Sequence, residues 1–444
     1  MPAGGGLCLG SREDPAEDIP PQCREALSMY RAFGRRVVVV LWATICILQS
    51  VGLGVGAKTT DIELWVPAKP LWLDEAKAMF EEEYAEYCVN ITALNWNTIV
   101  EKTTVAIAAG APPDVFTYGT GGVVNYAAIG VLQPVDKIAP QELIEDMWPG
   151  FLEPAMWEGQ LYGLPFLGDT AHLLYSANRF EESGLDVNRP PVTWEELVAM
   201  ARKAVRRDSQ GRMTVTGFYL PVNVGSTEHV FATFLRQLGG QHFSDDGSQA
   251  LFNSPEGVQA MEFYVSLIHE HAIVEIGSPS DVLTGSAAMA WTGGPSSIVR
   301  MRGLDPELAL NVRGAALPWF KHRLYFTGGQ TFMIPVGAKE PKGAAELINF
   351  LTGPKVAPIA AEAGNFFPRQ SLLRTVYSKA DPDLRTIIAA MEFAATSPPH
   401  PQWVKTIPEM QTQIMRALRR ETTPKEAVDT LTRIVNGFIA EAAN

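Results

Sequence analysis

Residues 159–180 read GQLYGLPFLGDTAHLLYSANRF, and the organisation of the chain turns on them. Gly159-Gln160 is a turn pair and Leu161-Tyr162 begins a strand. Gly163 and Pro165 interrupt that strand, so the chain must bend or change sheets here. His172 to Tyr175 resumes as a strand, and Ala177 to Phe180 starts a helix. Asp169 sits at the bend between Gly168 and Thr170. A carboxylate on a crossover between two lobes can accept two hydrogen bonds from adjacent hydroxyls of a ligand. Equally, such an aspartate can cap a turn with its own backbone.

Upstream, Ile62 to Val66 alternates as a strand, and Trp72 to Tyr87 carries apolar residues at helical spacing. Val89 to Leu94 is a second strand, Thr98 to Ala109 a second helix, and Asp114 to Tyr118 a third strand. Strand, helix, strand, helix, strand is the grammar of a parallel sheet. Ligands of such sheets sit off the carboxyl ends of the strands. Those ends carry Trp65, Asn95, Trp96 and Tyr118.

Downstream, Thr193 with Glu196 forms a capping box for a helix whose buried stripe includes Leu197, Met200 and Ala201. Ser254-Pro255 opens another helix, and Ala287 to Trp291 reads as a strand. Ala315 to Leu317 and Gln330 to Pro335 read as further strands. Thr423-Pro424 starts the last helix of a mostly helical final quarter. No internal repeat or low-complexity linker divides the chain.

The 444 residues suggest two or three domains, or two lobes of one unit. Residues 1–57 read as a leader and signal peptide. The apolar run Val37 to Leu48 follows Arg31, Arg35 and Arg36 and precedes small residues, with cleavage expected between Ala57 and Lys58. Left uncut, Val37 to Val55 could reach across a membrane. Met29 would start a conventional signal and is expected to be the true start. Cys8, Cys23 and Cys46 fall in this leader and Cys88 stands alone, so the processed chain has no internal disulfide. The leader is charge-balanced, so the net charge of −13 belongs to the rest. That argues against a nucleic-acid partner.

Motifs for covalent chemistry are missing: HExxH, GxSxG and a Walker loop are all absent. Gly119 to Gly122 lacks the spacing of a dinucleotide loop. His269 and His271, two apart on a helix, face different ways and make a poor metal pair. Neither a metal nor a cofactor is expected. Aromatic residues are more informative. Trp65, Trp72, Trp96, Tyr118, Tyr175, Trp291, Trp319 and Trp403 fall at strand ends or in loops. Aromatic faces pack on the CH-rich faces of sugar rings, while carboxylates, amides and Arg take the hydroxyls. Any one of them can instead be ordinary core filling. Asp169, Asn95 and Glu228 accompany them in predicted loops.

Several stretches resemble the family 1 extracellular solute-binding proteins of ABC importers, similar in layout to maltose-type sugar-binding proteins. They are Val105 to Val135 with Asp136, GQLYGLP followed by Tyr175-Ser176-Ala177, PVTWEEL at Pro191 to Leu197, GSAAM at Gly285 to Met289, and GNFFPR at Gly364 to Arg369. The likeness runs through essentially all of 58–444. It implies an α/β, periplasmic-binding-protein-like fold, with two α/β lobes joined by a multi-segment hinge and a ligand cleft between them. Mapped on this chain, residues 58–167 and 316–351 form one lobe and 171–314 and 355–444 the other. The implied activity is capture of a sugar or oligosaccharide outside the cytoplasm, as a monomer, for delivery to the transmembrane subunits of an ABC permease. No catalysis is implied. Stacking is expected from Tyr118, Trp291 and Trp65, and hydrogen bonds from Asp169, Asn95 and Arg369. Trp96, Glu228 and Trp403 join the candidate site. After Trp291, maltose-type members often place a Trp behind a Gly-Pro, whereas this chain reads Gly294-Pro295-Ser296-Ser297. Gly294 and the serines could offer donors to a smaller or anionic ligand. A glycerol phosphodiester or polyamine ligand, or a secreted carbohydrate-active enzyme, are the rival readings.

Overall fold

A computed structural model describes residues 59–67, 69–96, 98–220, 227–276, 282–293, 296–304, 309–395 and 398–443, with the side chains of Asp169, Leu304, Thr327 and Ala395 outside that description. The expected leader, its signal segment and Gly294 lie outside the described residues. Among the described residues no helix is long and apolar enough to cross a membrane.

Strand β1 (Thr60–Val66) turns Ile62, Leu64 and Val66 inward and pairs in parallel with β2 (Tyr87–Ala93) and β3 (Val115–Gly119). The helix Leu73–Glu83 connects the first two and buries Leu73, Ala76 and Phe80. It stops four residues short of the expected Tyr87. Tyr84 leaves the helical region, and Tyr87 is taken into β2 opposite Thr60. Both tyrosines still stack on Phe80, with centroids 4.7 and 6.0 Å away. The helical spacing therefore reported a shared core, and backbone pairing decided the element.

A short hairpin joins β4 (Met156–Trp157) to β5 (Gln160–Leu161). Its two central residues, Glu158 and Gly159, have φ of 48° and 76°, the left-handed pair that matches strand twist in a two-residue turn. Strand β6 (Leu164–Thr170) then runs through Gly168 and Asp169 without the expected bend. It is held antiparallel to a later strand, where Gly328 faces Asp169 and Thr327 faces Thr170. Pro165 is accommodated by a register shift opposite Gln330 and Thr331. After Ala171 alone, β7 (His172–Ser176) belongs to a different sheet. That second sheet continues with β8 (Arg206–Arg207), β9 (Met213–Tyr219), β10 (Ala287–Thr292) and β11 (Val312–Ala316), in the order β11-β7-β10-β9-β8. Strand β12 (Tyr325–Met333) returns the chain to the first sheet, between β3 and the two-residue β13 (Ala394–Ala395), and pairs with β6. The chain thus passes between the sheets at Ala171, between β11 and β12, and after β13.

Each sheet has its own core. The first gathers Leu64, Phe80, Phe116, Phe166 and Phe332; the second Leu173, Trp194, Phe218, Phe234 and Tyr264. Helix starts follow the sequence signals. Thr193 accepts from the Glu196 amide at 3.2 Å, although the Glu196 carboxylate reaches back to Val192 rather than to Thr193. Thr423 and Glu426 make the full reciprocal box. One boundary differs from expectation. Residues after 355 were expected with the second lobe, yet Val356, Phe366, Phe367, Leu372 and Tyr377 fill the first core. The apolar face of this segment is completed by Trp72 and Phe166, whose rings lie 5.7 and 6.1 Å from Phe367.

The helix Pro382–Ala389 leads back to the second sheet. Its Asp383 accepts from Arg302 at 2.5 Å and from Arg313 at 3.0 Å, with Asp381 3.1 Å from Arg302. Asp383→Asn leaves two half-buried guanidinium groups facing a neutral amide. A loss of about 2 kcal/mol is expected from this partly buried network, read as a lower urea midpoint. An unchanged midpoint would show that the network holds nothing together.

Candidate functional site

A cleft of about 450 Å³ opens where β6 and β12 leave the first sheet. Its floor is backbone: Gly168, Gly328 and Gly329 come from the crossing strands, and Gly119, Gly121 and Gly122 from the turn after β3. One wall is Tyr118 at the end of β3 with Trp96 beside it, centroids 5.8 Å apart and planes at 53°. Gly122 makes room for that arrangement, because a Cβ there would lie 2.6 Å from the Tyr118 ring. Burial pushes the Tyr118 phenol above its usual range, so it is a neutral donor and acceptor. Trp96 is 45% exposed at the mouth, with an aromatic face free of the core.

The facing wall comes from the second core. His229 stacks on Phe326, centroids 4.4 Å apart and planes at 24°. Glu228 lies behind it, its Oε1 3.6 Å from His229 Nε2, and Gln411 Nε2 donates to the other oxygen at 2.8 Å. Burial lowers the affinity of His229 for a proton and the Glu228 carboxylate opposes that. Two amides are oriented by their carbonyls. Gln330 Oε1 accepts from Thr117 Oγ1 at 3.1 Å, and Asn365 Oδ1 from Trp72 Nε1 at 2.8 Å. Each then directs its NH₂ away from that partner, as a donor at the cleft surface. Among the described lining residues there is no lysine, arginine or carboxylate, and among the described residues no group of three or more His, Cys, Asp or Glu side chains is placed to hold a metal ion.

The structure brings Tyr118, Trp96 and one edge of Trp403 to this cleft, together with the backbone flanking Asp169. Trp403 is 1% exposed and packs mainly edge-to-face on His242, 5.2 Å away. Five other candidates are placed elsewhere. Trp291 is 4% exposed and lies parallel to Trp194 in the second core, because β10 is covered on both faces. Trp65 packs on the first core. Asn95 caps the next helix, its Oδ1 accepting from Thr98 N at 2.9 Å. Glu228 is buried behind His229 instead of lining the cleft. Arg369 is spent on Asp146, at 2.7 Å, whose carboxylate also takes Ser371 and is held below its ordinary range by those hydrogen bonds against the opposing effect of burial.

His229, Phe326, Gln330 and Asn365 were missed. The run Phe326-Thr327-Gly328-Gly329-Gln330 carried a usable signal, since a glycine pair inside a strand marks close backbone approach. The stretch Gly364 to Arg369 was singled out, but its cleft residues are Gly364 and Asn365, not the arginine.

This layout can be compared with known proteins. The model of the bacterial extracellular solute-binding protein family matches residues 66–358. The chain belongs to that family. A maltotriose-binding protein of Pyrococcus abyssi is 24% identical over 250 residues, 55% of this chain and 52% of its own length. A mannitol-binding protein of Pseudomonas aeruginosa is 26% identical over 222 residues, 49% of this chain and 50% of its own length. The chain spans about half the length of the curated relatives it matches. Over a wider span, an ABC transporter solute-binding protein from Thermotoga lettingae, bound with α-D-tagatose, superposes with a TM-score of 0.72 at 26% identity, covering 86% of this chain and all of that one. The fold of this family member is therefore the two-lobed α/β architecture of solute-binding proteins, with the cleft at the crossings.

Proposed function

We propose that this solute-binding protein captures a neutral carbohydrate in the cleft, outside the cytoplasm, and hands it unaltered to the membrane subunits of an ABC importer. The observation that carries the reading is the pairing of aromatic faces with neutral donors. Trp96 and Tyr118 on one side, and His229 on Phe326 on the other, present ring faces to CH groups, while the amides of Gln330 and Asn365 and the phenol of Tyr118 meet hydroxyls. The glycine floor lets a sugar ring approach main-chain groups closely. The maltotriose, mannitol and tagatose of the similar proteins belong to the same class of polyhydroxylated neutral ligands. The family membership supports export and a permease partner. Asp169, on the crossing strand, remains part of this proposal as a hydroxyl acceptor.

Titration calorimetry against mono-, di- and trisaccharides, polyols, glycerol phosphates and polyamines tests it. A neutral sugar or polyol is expected to bind, and Tyr118→Ala to weaken it about tenfold, the equivalent of ~1.4 kcal/mol of lost stacking and hydrogen bonding. Binding confined to phosphates or amines would replace the ligand class. Hydrolysis of the bound sugar would replace capture with catalysis.

A further inference from the structure

The two ends of the cleft differ in chemistry. Its amides lie on the inner side: Gln330 stands on the crossing strand β12, and Asn365 is tied to buried Trp72. The outer end is apolar and comes from both lobes. There the turn Gly119 to Gly122 runs between two walls. A Cβ on Gly119 would lie 3.9 Å from Trp96 Cζ3, so the indole borders the turn on the first lobe. The helix Trp403–Leu418 of the second lobe packs on the same turn. Its Val404 and Ile407, three apart and so on one helical face, line the cleft. The three glycines of the turn put no side chain between these walls. Thr120, its remaining residue, is buried, with Oγ1 accepting from Thr331 Oγ1 at 3.2 Å. Lys405 is turned away, its Nζ 5.8 Å from the centroid of the Phe438 ring. The indole N–H of Trp96 is the one polar group on the side chains of the two walls. Val404 is 40% exposed and Trp96 is exposed opposite it, so apolar surface from both lobes stands open to water in one slot.

We infer that the ligand carries two rings, a hydroxyl-rich one on the amides and a second one in this slot. One face of the second ring lies on the Trp96 indole and the other on Val404 and Ile407. A single sugar ring, or an open-chain polyol, that satisfies its hydroxyls on Gln330, Asn365 and the Tyr118 phenol leaves the slot full of water against apolar walls. A second ring removes that surface from water, which is where the added affinity comes from. The walls ask for apolar faces and for few polar edges. Two kinds of ring supply them: a second sugar, through the CH groups of its faces, and an apolar aglycone. The inference rests on the neutral-carbohydrate reading of the cleft and narrows it to two-ring glycosides.

Calorimetric titration of the purified protein with paired ligands is the test. The one-ring set is the methyl glycosides of glucose, galactose and mannose in both anomers. The two-ring set is the matching p-nitrophenyl glycosides, for an aglycone, and maltose, cellobiose, lactose and mannobiose, for a second sugar. For the sugar that binds, at least one two-ring form is expected to bind tenfold or more tightly than the methyl glycoside. A gain confined to the p-nitrophenyl form assigns the slot to an aglycone, and a gain confined to the disaccharide assigns it to a second sugar. Val404→Asp places a carboxylate in the slot at an exposed position and should close the gap between the one-ring and two-ring forms, a ratio that a general loss of fold would not move. Should Val404→Asp not fold, the paired ligands on the parent protein decide the matter. Methyl glycosides that bind as tightly as both two-ring forms would overturn the inference and leave the carbohydrate reading standing. A gap that survives in Val404→Asp would place the second ring elsewhere and overturn it too. No binding by any member of either set would remove the carbohydrate reading and this inference together.

Discussion

Acidification from pH 7 to pH 4.5 lowers the melting temperature steeply, and most of the fall comes above pH 5, where few carboxylates have titrated. The largest part comes from two histidines buried in neutral form, with His229 and His400 pushed the same way by burial. His172, the first residue past the crossing at Ala171, has no exposed surface. Its Nδ1 donates to the Thr170 carbonyl at 3.1 Å, and its Nε2 accepts from Ser297 Oγ at 3.3 Å. Burial pushes its proton affinity down to about 4, against the opposing pull of the Thr170 carbonyl. His242 is pushed down to about 3. In the unfolded chain both take a proton near pH 6.5. Below that value the unfolded state binds more protons than the folded one, so stability falls with pH until the folded values are reached. Above pH 6.5 both states hold the rings neutral and the slope vanishes. Each pH step of one in this window withdraws about 1.4 kcal/mol per histidine, and the two together withdraw on the order of 5 kcal/mol by pH 4.5. Urea midpoints at pH 7, 5.5 and 4.5 measure it. The double variant His172→Gln, His242→Gln should be less stable at pH 7 but much flatter below. A flat profile in the parent, or an equal slope in the double variant, would remove both histidines from the account.

Much of the first sheet, and of the helices around the second core, was legible in the chain because their signals are local. Ile62, Leu64 and Val66 alternate, Pro and Gly punctuate, and Thr193, Ser254 and Thr423 each cap the helix they precede. The site was less legible for the reason that burial on both faces of a strand is a tertiary fact. Trp96 and Trp291 both follow a strand pattern, yet one stands in the cleft mouth and the other is sealed against Trp194. Trp96 stands between two asparagines and Trp291 closes the apolar run from Ala287, a difference that bears on burial and not on what each ring faces. Arg369 and Asn95 look like ligand donors until their partners, Asp146 and the Thr98 amide, are placed beside them. Likewise Val356 to Tyr377 is an apolar helical segment that could cover either core; only Trp72 and Phe166 decide that it covers the first. The glycine pair in β12 hid the first half of that strand, because glycine carries no side-chain periodicity to read.

That same pair yields the sharpest contrast for mutagenesis. Gly328 and Gly329 are adjacent on β12 and point to opposite sides of it, so the same added methyl meets two different environments. At Gly329 the backbone has φ of 143°, and a Cβ would lie 2.2 Å from the Leu167 carbonyl oxygen on β6. Gly329→Ala must strain the residue and push the two crossing strands apart where Gly329 faces Gly168. A cost of about 3 kcal/mol or more is expected, with a melting temperature lower by several degrees. At Gly328 a Cβ meets nothing within 4 Å, and the residue lines the cleft. Gly328→Ala should therefore fold as the parent does, with a small gain from the restricted unfolded chain. The larger Gly328→Val should fold too and lose ligand affinity tenfold or more, because its methyls occupy the space above the glycine floor. Melting curves and titrations on the three variants separate the two roles. A stable Gly329→Ala would mean the crossing strands can slide apart at no cost. Undiminished binding by Gly328→Val would mean the ligand lies elsewhere than on the floor that Gly168, Gly328 and Gly329 form.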